Sequence, residues 1–273
     1  MRASMSSVAL AARVVPPGAL GTRRARHLFE RNLLVYRRGW MIILSGFFEP
    51  VFYLLSIGIG IGRLVGPVSG AGHTVDYTTF VAPGLLASAA MNGAVYDSTF
   101  NIFFKLKYHK TYDAVLATPM AVGDIALGEI AWALARGAAY ACAFVVVMVA
   151  MGLVLSPWAF LAVPTALLIG FAFGGAGMAC TSFMRSWQDF DLVQLVVLPL
   201  FLFSATFYPL DTYPVGLRWV VRCTPLYQGV AIMRPLTTGA VGPVLLVHAA
   251  YLLAMGMAGL LVASRRLERL LLT

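Results

Sequence analysis

The stretch IALGEIAWALARGAAYACAFVVVMVAMGLVLSPWAFLAVPTALLIGFAFGGAGMACTSF, Ile125 to Phe183, carries only two charged side chains, Glu129 and Arg136. Its apolar residues run on without the alternation of a half-buried strand, broken only near Ser156 and Pro157. A bilayer's hydrocarbon core takes about 20 apolar residues per helical crossing. The backbone there must satisfy its own hydrogen bonds, which leaves helices or closed barrels. Continuous runs of this length predict two helical spans, Ile125 to Leu155 and Ala159 to Phe183.

The rest of the chain repeats the pattern. Of 273 residues, 60% are hydrophobic and 11% charged, against roughly 25% charged in an average soluble domain. Further spans are predicted at Trp40 to Gly62, Thr78 to Phe100, Leu192 to Tyr208 and Pro243 to Ala263, giving an all-α, polytopic membrane protein with six transmembrane helices. The third run is too long for one perpendicular crossing. Its amphipathic first turns, DIALGEIAWALAR, are expected at the membrane surface or in a protein interface. Residues 1–22 carry an apolar patch of only five residues and are read as a disordered cytoplasmic extension, too weak for a signal peptide.

Lysine and arginine set the orientation. With both termini in the cytoplasm, fifteen lie in inner segments and four in outer ones, as the positive-inside rule requires. The net charge of +9 therefore reports topology and attraction to anionic membrane lipid, not nucleic acid. Between residues 23 and 40, Leu28, Leu33, Leu34 and Trp40 interleave with arginines, predicting a basic amphipathic helix in the inner headgroup region. Cys142, Cys180 and Cys223 are scattered and match no zinc or disulfide spacing; no metal site is expected.

One short polar segment interrupts the apolar runs on the inner side: FFKLKYHKTYDAVLATPM, Phe103 to Met120. Leu106, Tyr112, Val115 and Leu116 share one helical face; Lys105, Lys107, His109, Lys110 and Asp113 share the other. An amphipathic helix protruding from a membrane bundle can dock into a groove of a soluble partner.

Polar groups inside the runs are costly, charged ones by roughly 2.5 to 3.5 kcal/mol each at mid-bilayer, which singles out the ionisable Glu49, Asp97, Glu129 and Arg136 and the amide Asn92. Glu49 could pair with Arg136, line a polar path or be protonated; for the set, bonding between helices or permeases competes with substrate contact. Gly170, Gly174 and Gly177 offer close helix approach. After the fifth run, FYPLDTYPVGLRWVVRCTPLYQGVAIMRPLTTG is too short to cross twice and too apolar for a free loop. It predicts short helices re-entering the outer leaflet, with Phe207, Tyr208, Tyr213, Trp219 and Tyr227 at the interface, anchoring there or stacking on sugar faces.

The runs FVAPGLLASAAMNGAVYDSTFNIFFKLKYHKTYDAVLATPM, LGEIAWALARG, SFMRSWQDFDLVQLVVLPLFLFSATFYPLD and TPLYQGVAIMR resemble the membrane subunit of type 2 ABC exporters, in the nodulation protein J and polysaccharide-export branch. The resemblance implies one permease domain over 23–273, residues 23–40 as a connecting helix, and a coupling helix at about 103–120. In it Lys105, Lys107, Tyr108, His109, Lys110, Tyr112 and Asp113 would meet the ATPase. It further implies two ATPase copies, a second permease copy forming a homodimer, and residence in a bacterial inner membrane. The cargo would be a lipid-linked glycan, lipo-oligosaccharide or polysaccharide, with hydrophobic drug efflux as the alternative.

The chain's only lysines, 105, 107 and 110, follow no glycine, so it has no P-loop. No cofactor is expected on it; ATP and Mg belong to the separate ATPase. An ion-coupled carrier would want several mid-membrane carboxylates and internal repeats, and neither is visible. A membrane enzyme using Ser204 and His248 lacks the GxSxG surroundings of such a nucleophile.

Overall fold

The computed structural model describes residues 28–34, 48, 51–70, 73–118, 120 and 122–272. It is mostly helical: α1 (28–34), α2 (51–65), α3 (Tyr77–Lys107), α4 (Thr111–Leu116), α5 (Val122–Ala150), α6 (Pro157–Thr181), α7 (Asp189–Leu202), α8 (Val215–Cys223), α9 (Pro225–Thr238) and α10 (Val244–Leu272). An antiparallel hairpin, β1 (Pro67–Gly70) with β2 (His73–Asp76), precedes α3, pairing Pro67 with Asp76 and Gly70 with His73. The all-α expectation is corrected to that extent.

Among the described residues four helices are long and apolar enough to cross a membrane: α3, α5, α6 and α10. They match the predicted second, third, fourth and sixth runs, with α5 ending at Ala150 instead of Leu155. Most of the first run's opening, with Glu49 and Pro50, lies outside the described residues, and its helix continues past Gly62 to Val65. The fifth run is shorter than predicted. Helix α7 has 14 residues, about 21 Å at 1.5 Å per residue, and unwinds at Phe203, just after Pro199. Six spans are therefore not what the described helices display.

Two cores hold the bundle. The larger joins α3, α5, α6, α9 and α10 through Phe80, Leu86, Met91, Phe144, Ile169, Met233 and Leu252, all nearly inaccessible. The smaller sits at the Lys107 end of α3, where Leu28, Ile102, Tyr112, Ile125, Met178 and Leu267 tie α1, α3, α4, α5, α6 and α10 together. The amphipathic first turns of α5 are thus covered by protein, with Asp124, Ile125, Glu129 and Trp132 buried. Helix α1 turns Leu28 and Asn32 inward and leaves Leu33 and Leu34 exposed; Trp40 lies outside the described residues.

Small residues set the closest crossing, between α6 and α10. A Cβ on Gly259 would lie 2.4 Å from the Gly175 carbonyl carbon, and one on Gly175 would lie 2.6 Å from Gly256 O. Of the three glycines singled out from the sequence, Gly177 abuts Ser98, Gly170 meets Leu134, and Gly174 faces open space. The two short helices expected before the last run are α8 and α9, and α9 buries Leu226, Val230 and Met233 in the larger core.

Candidate functional site

Helices α3 and α5 are antiparallel, and two ion pairs bridge them. Lys105 Nζ lies 2.9 and 2.7 Å from the two Glu129 carboxylate oxygens; about two helical turns away, Arg136 pairs with Asp97. Helix α3 carries the acid then the base, eight residues apart; α5 carries the acid then the base, seven apart. A π-helical segment, Asp97–Asn101, accounts for the difference. Its wider turn absorbs an added residue, which brings both rungs into phase. Thr181 Oγ1 donates to Ser98 O at 2.8 Å, tying the irregular turn to α6.

The Glu129 carboxylate is also the meeting point of other elements. Asn32 Nδ2 of α1 donates to it at 3.4 Å, and Tyr112 of α4 is buried beside it. Burial first, and then the Glu129 charge, hold the Tyr112 phenol well above its usual range. The phenol therefore keeps its proton beside the carboxylate. Glu129 and Arg136 do share a face of α5, as expected, but each is taken by a partner on α3. Glu49, the other partner weighed for Arg136, lies outside the described residues.

The segment expected as one helix over 103–120 is two. The last turns of α3 run to Lys107, the chain turns at Tyr108 to Lys110, and α4 follows. Lys110 makes the corner with φ of 45°, a left-handed backbone that costs a residue with a Cβ roughly 1 to 2 kcal/mol. Lys107, Tyr108, His109, Lys110 and Asp113 are exposed. Lys105 is not among them: its side chain is 13% accessible and belongs to the ion pair. The helical wheel had grouped it with the solvated lysines, and only the packing of α5 shows its neighbour.

Beside the Asp97–Arg136 rung, α2, α3, α5, α6 and α7 line an open cavity of about 780 Å³. Asn92, Asp97, Arg136, Tyr140 and Gln194 supply polar groups to its wall, and Tyr53, Tyr96, Phe100, Phe190 and Phe201 supply rings. Asn92 and Gln194 are exposed to it.

The aromatics expected to cluster at the outer interface do not form one group. Phe207 packs edge-on against Phe201 and Tyr227 edge-on against His248, while Tyr213 meets Phe203 at a tilt. Tyr208 and Trp219 are exposed, the latter with Arg222 over its ring at 5.4 Å. Nor do Ser204 and His248 pair: Ser204 bonds Thr206 at 2.7 Å, and His248 bonds Gln228.

Two features escaped the sequence reading. Arg234 of α9 donates to Phe80 O at 3.2 Å, Ala205 O at 2.7 Å and Thr206 O at 3.3 Å, clasping the irregular segment after α7 to the start of α3. Its guanidinium also covers the Phe80 ring at 3.8 Å. The second is the row Tyr96, Phe100, Phe104 and Tyr108, visible in the sequence as an aromatic at every fourth position.

An apolar helical bundle with a polar foot on an ion-paired frame fits a polytopic membrane subunit. The ABC-2 type transporter family model matches residues 23–237, and the chain belongs to that family. It is 33% identical over 216 residues to nodulation protein J of Rhizobium leguminosarum bv. trifolii, covering 78% of this chain and 80% of the relative. With nodulation protein J of Rhizobium meliloti (strain 1021) it shares 30% over 217 residues, with 78% and 80% covered. It is also 28% identical over 218 residues to the inner membrane transport permease YadH of Escherichia coli (strain K12), covering 77% of each. Membership makes the chain the permease of a transporter and implies an ATPase subunit as a kind of partner.

Proposed function

We propose that this chain is the permease of an ATP-driven exporter that moves a glycan-bearing amphiphile, of the lipo-oligosaccharide or polysaccharide type, out of the cytoplasm. The observation that carries the reading is the exposed foot formed by Tyr108 to Asp113, seated on Glu129 through Lys105 and Tyr112. Two ATPase copies grip two such feet in a homodimer, both termini face the cytoplasm, and the membrane is the bacterial inner membrane. A ligand shifts a conformational equilibrium only by its differential affinity for the two states. Here ATP on the partners supplies that difference, and the foot carries it to α3 and α5. On this reading Phe203 to Thr238, with α8 and α9, re-enters the outer leaflet.

The relatives named for nodulation support the choice of cargo. A hydrophobic drug is the second reading, favoured by the large share of apolar wall in the cavity. The test is copurification with the candidate ATPase and reconstitution in liposomes. Reversing Lys107 and Lys110 to Glu should abolish ATPase capture while leaving the permease folded, and glycolipids should raise ATP hydrolysis. Capture that survives the reversal would overturn the coupling role; stimulation by amphiphilic drugs alone would replace the cargo.

A further inference from the structure

Helices α6 and α10 meet at the glycine crossing and continue side by side toward the end of the bundle that carries the foot. Phe183 stands eight residues past Gly175 and Arg266 seven past Gly259, so the two reach one level. There the Arg266 guanidinium lies over the Phe183 ring, 4.9 Å from its centroid, and Arg266 Nε is buried without a hydrogen-bond partner. At about 100° per residue, Arg265, Arg266 and Arg269 share one flank of α10, while Ala263 and Leu267 turn into the smaller core. Glu268 stands about 160° around from Arg266 by the same rotation. Among the described residues no carboxylate pairs with Arg265 or Arg266. Asp189, at the start of α7, accepts from the Arg185 and Ser186 amides, and Glu129 holds Lys105.

Two simpler causes fall short of this arrangement. A helix dipole favours cations within its last turn, and Arg265 and Arg266 lie seven and six residues before Leu272, where α10 ends. Membrane orientation asks only for positive charge on a segment, not for a guanidinium stacked on a ring with a buried donor.

One turn toward the membrane the same flank becomes apolar and open. Val262 is 45% exposed, and Ala258 is exposed as well. The chain leaving α6 adds Phe183 and Trp187, 58% and 60% exposed, rings of the kind that settle at headgroup level. A ligand matching this surface needs an anionic head, because guanidinium groups bind phosphate through paired N–H···O bonds. It also needs hydrocarbon to cover Val262 and Ala258. A soluble phosphate has only the first, and a zwitterionic lipid brings a cation of its own against the arginines. A phospholipid with net negative charge has both.

We propose that the end of α10, with Arg265 and Arg266 as its grip and Phe183 as its support, is a binding site for one anionic phospholipid. Its place in the cytoplasmic leaflet rests on the export reading for orientation; the site itself is the new element. A lipid held there braces α6 and α10 beside Leu267, which shares the smaller core with Tyr112 of the foot.

The test is native mass spectrometry of the purified full chain, delipidated in detergent and titrated with palmitoyl-oleoyl phosphatidylglycerol or palmitoyl-oleoyl phosphatidylcholine. The parent should take up one phosphatidylglycerol per chain at least tenfold more tightly than phosphatidylcholine. Arg265→Gln with Arg266→Gln should weaken phosphatidylglycerol at least fivefold and leave phosphatidylcholine unchanged. Arg266→Lys, which keeps the charge and loses the planar fork, should weaken it several-fold. Arg222→Gln, in the helix that Tyr251 holds to the far half of α10, should bind as the parent. Should the double variant not fold, Arg265→Gln alone, at an exposed position, should weaken binding at least threefold. Equal binding of the two lipids by the parent, or equal weakening by Arg222→Gln, overturns the proposal. Displacement of the lipid by millimolar glycerol 3-phosphate overturns it as well, because the site would then serve a soluble phosphate. The assay uses no ATP, ATPase or glycan, so these failures leave the export reading standing. Labelling of an Arg265→Cys variant from outside intact cells, with phosphatidylglycerol selectivity intact, would instead sink the export reading and keep the lipid site.

Discussion

Lys105 Nζ sits 2.7 Å from Glu129 Oε2 with the Glu129 side chain only 3% accessible and that of Lys105 13%. Two charges this sheltered are held by each other and by Asn32. Their worth shows only when one is removed, because the survivor is left buried and unpaired.

Glu129→Ala should therefore destabilise the chain by about 3 to 5 kcal/mol, read as a fall in the thermal unfolding midpoint in detergent. Lys105→Met with Glu129→Leu should recover most of the loss, since an apolar pair of similar volume removes both charges together.

Lys110 stands at φ 45° and ψ 33° between α3 and α4. Lys110→Gly should keep the turn, because glycine adopts that region without penalty. Lys110→Val should break it, since a β-branched side chain is a genuine outlier there. Proteolysis rates within residues 108–116 should rise for valine and not for glycine.

At the crossing of α6 and α10, Gly259→Ala drives a methyl group into the Gly175 backbone at 2.4 Å. Overpacking of this kind costs typically about 1 to 3 kcal/mol. Gly174→Ala, two positions from the crossing's Ala176 and with nothing within 4 Å of its new Cβ, should be neutral or stabilising by up to ~1 kcal/mol through helix propensity. Thermal unfolding of the two variants side by side checks the contrast.

Arg234 holds three carbonyls with a rigid planar fork. Arg234→Lys keeps the charge and loses that geometry, so the segment Phe203 to Tyr208 should exchange its amide hydrogens faster by at least tenfold. Ala205 supplies one of those carbonyls from a left-handed backbone at φ 56°. Ala205→Gly should accordingly preserve the clasp, with exchange at the parent rate.

Much of the architecture could be read from residues alone. The length of uninterrupted apolar sequence announces helices α3, α5, α6 and α10, because hydrocarbon admits no backbone that fails to satisfy itself. The polar foot stood out for the opposite reason, as charge that lipid would not hold. Asp97, Glu129 and Arg136 were legible as costly groups, whereas their partners were not. Pairing depends on the register between two helices, and the π segment in α3 moves that register by a residue without altering composition. The fifth run misled because apolarity continues through Phe207 while the helix ends at Leu202; Arg234, twenty-six residues beyond Tyr208, satisfies Ala205 and Thr206 where helical bonds stop.

Hydrophobic length and the distribution of lysine and arginine were determined by the sequence by itself: a helical membrane protein with a short polar foot between its apolar runs. Each of these depends on solvation, which acts on a residue wherever its neighbours are. The tertiary structure alone decided that Lys105 pairs with Glu129, that Glu129 joins α1, α3 and α4, and that four rings stack into a column. These depend on which side chains a crossing brings within a few ångströms, and that distance is a property of packed helices, not of any one of them.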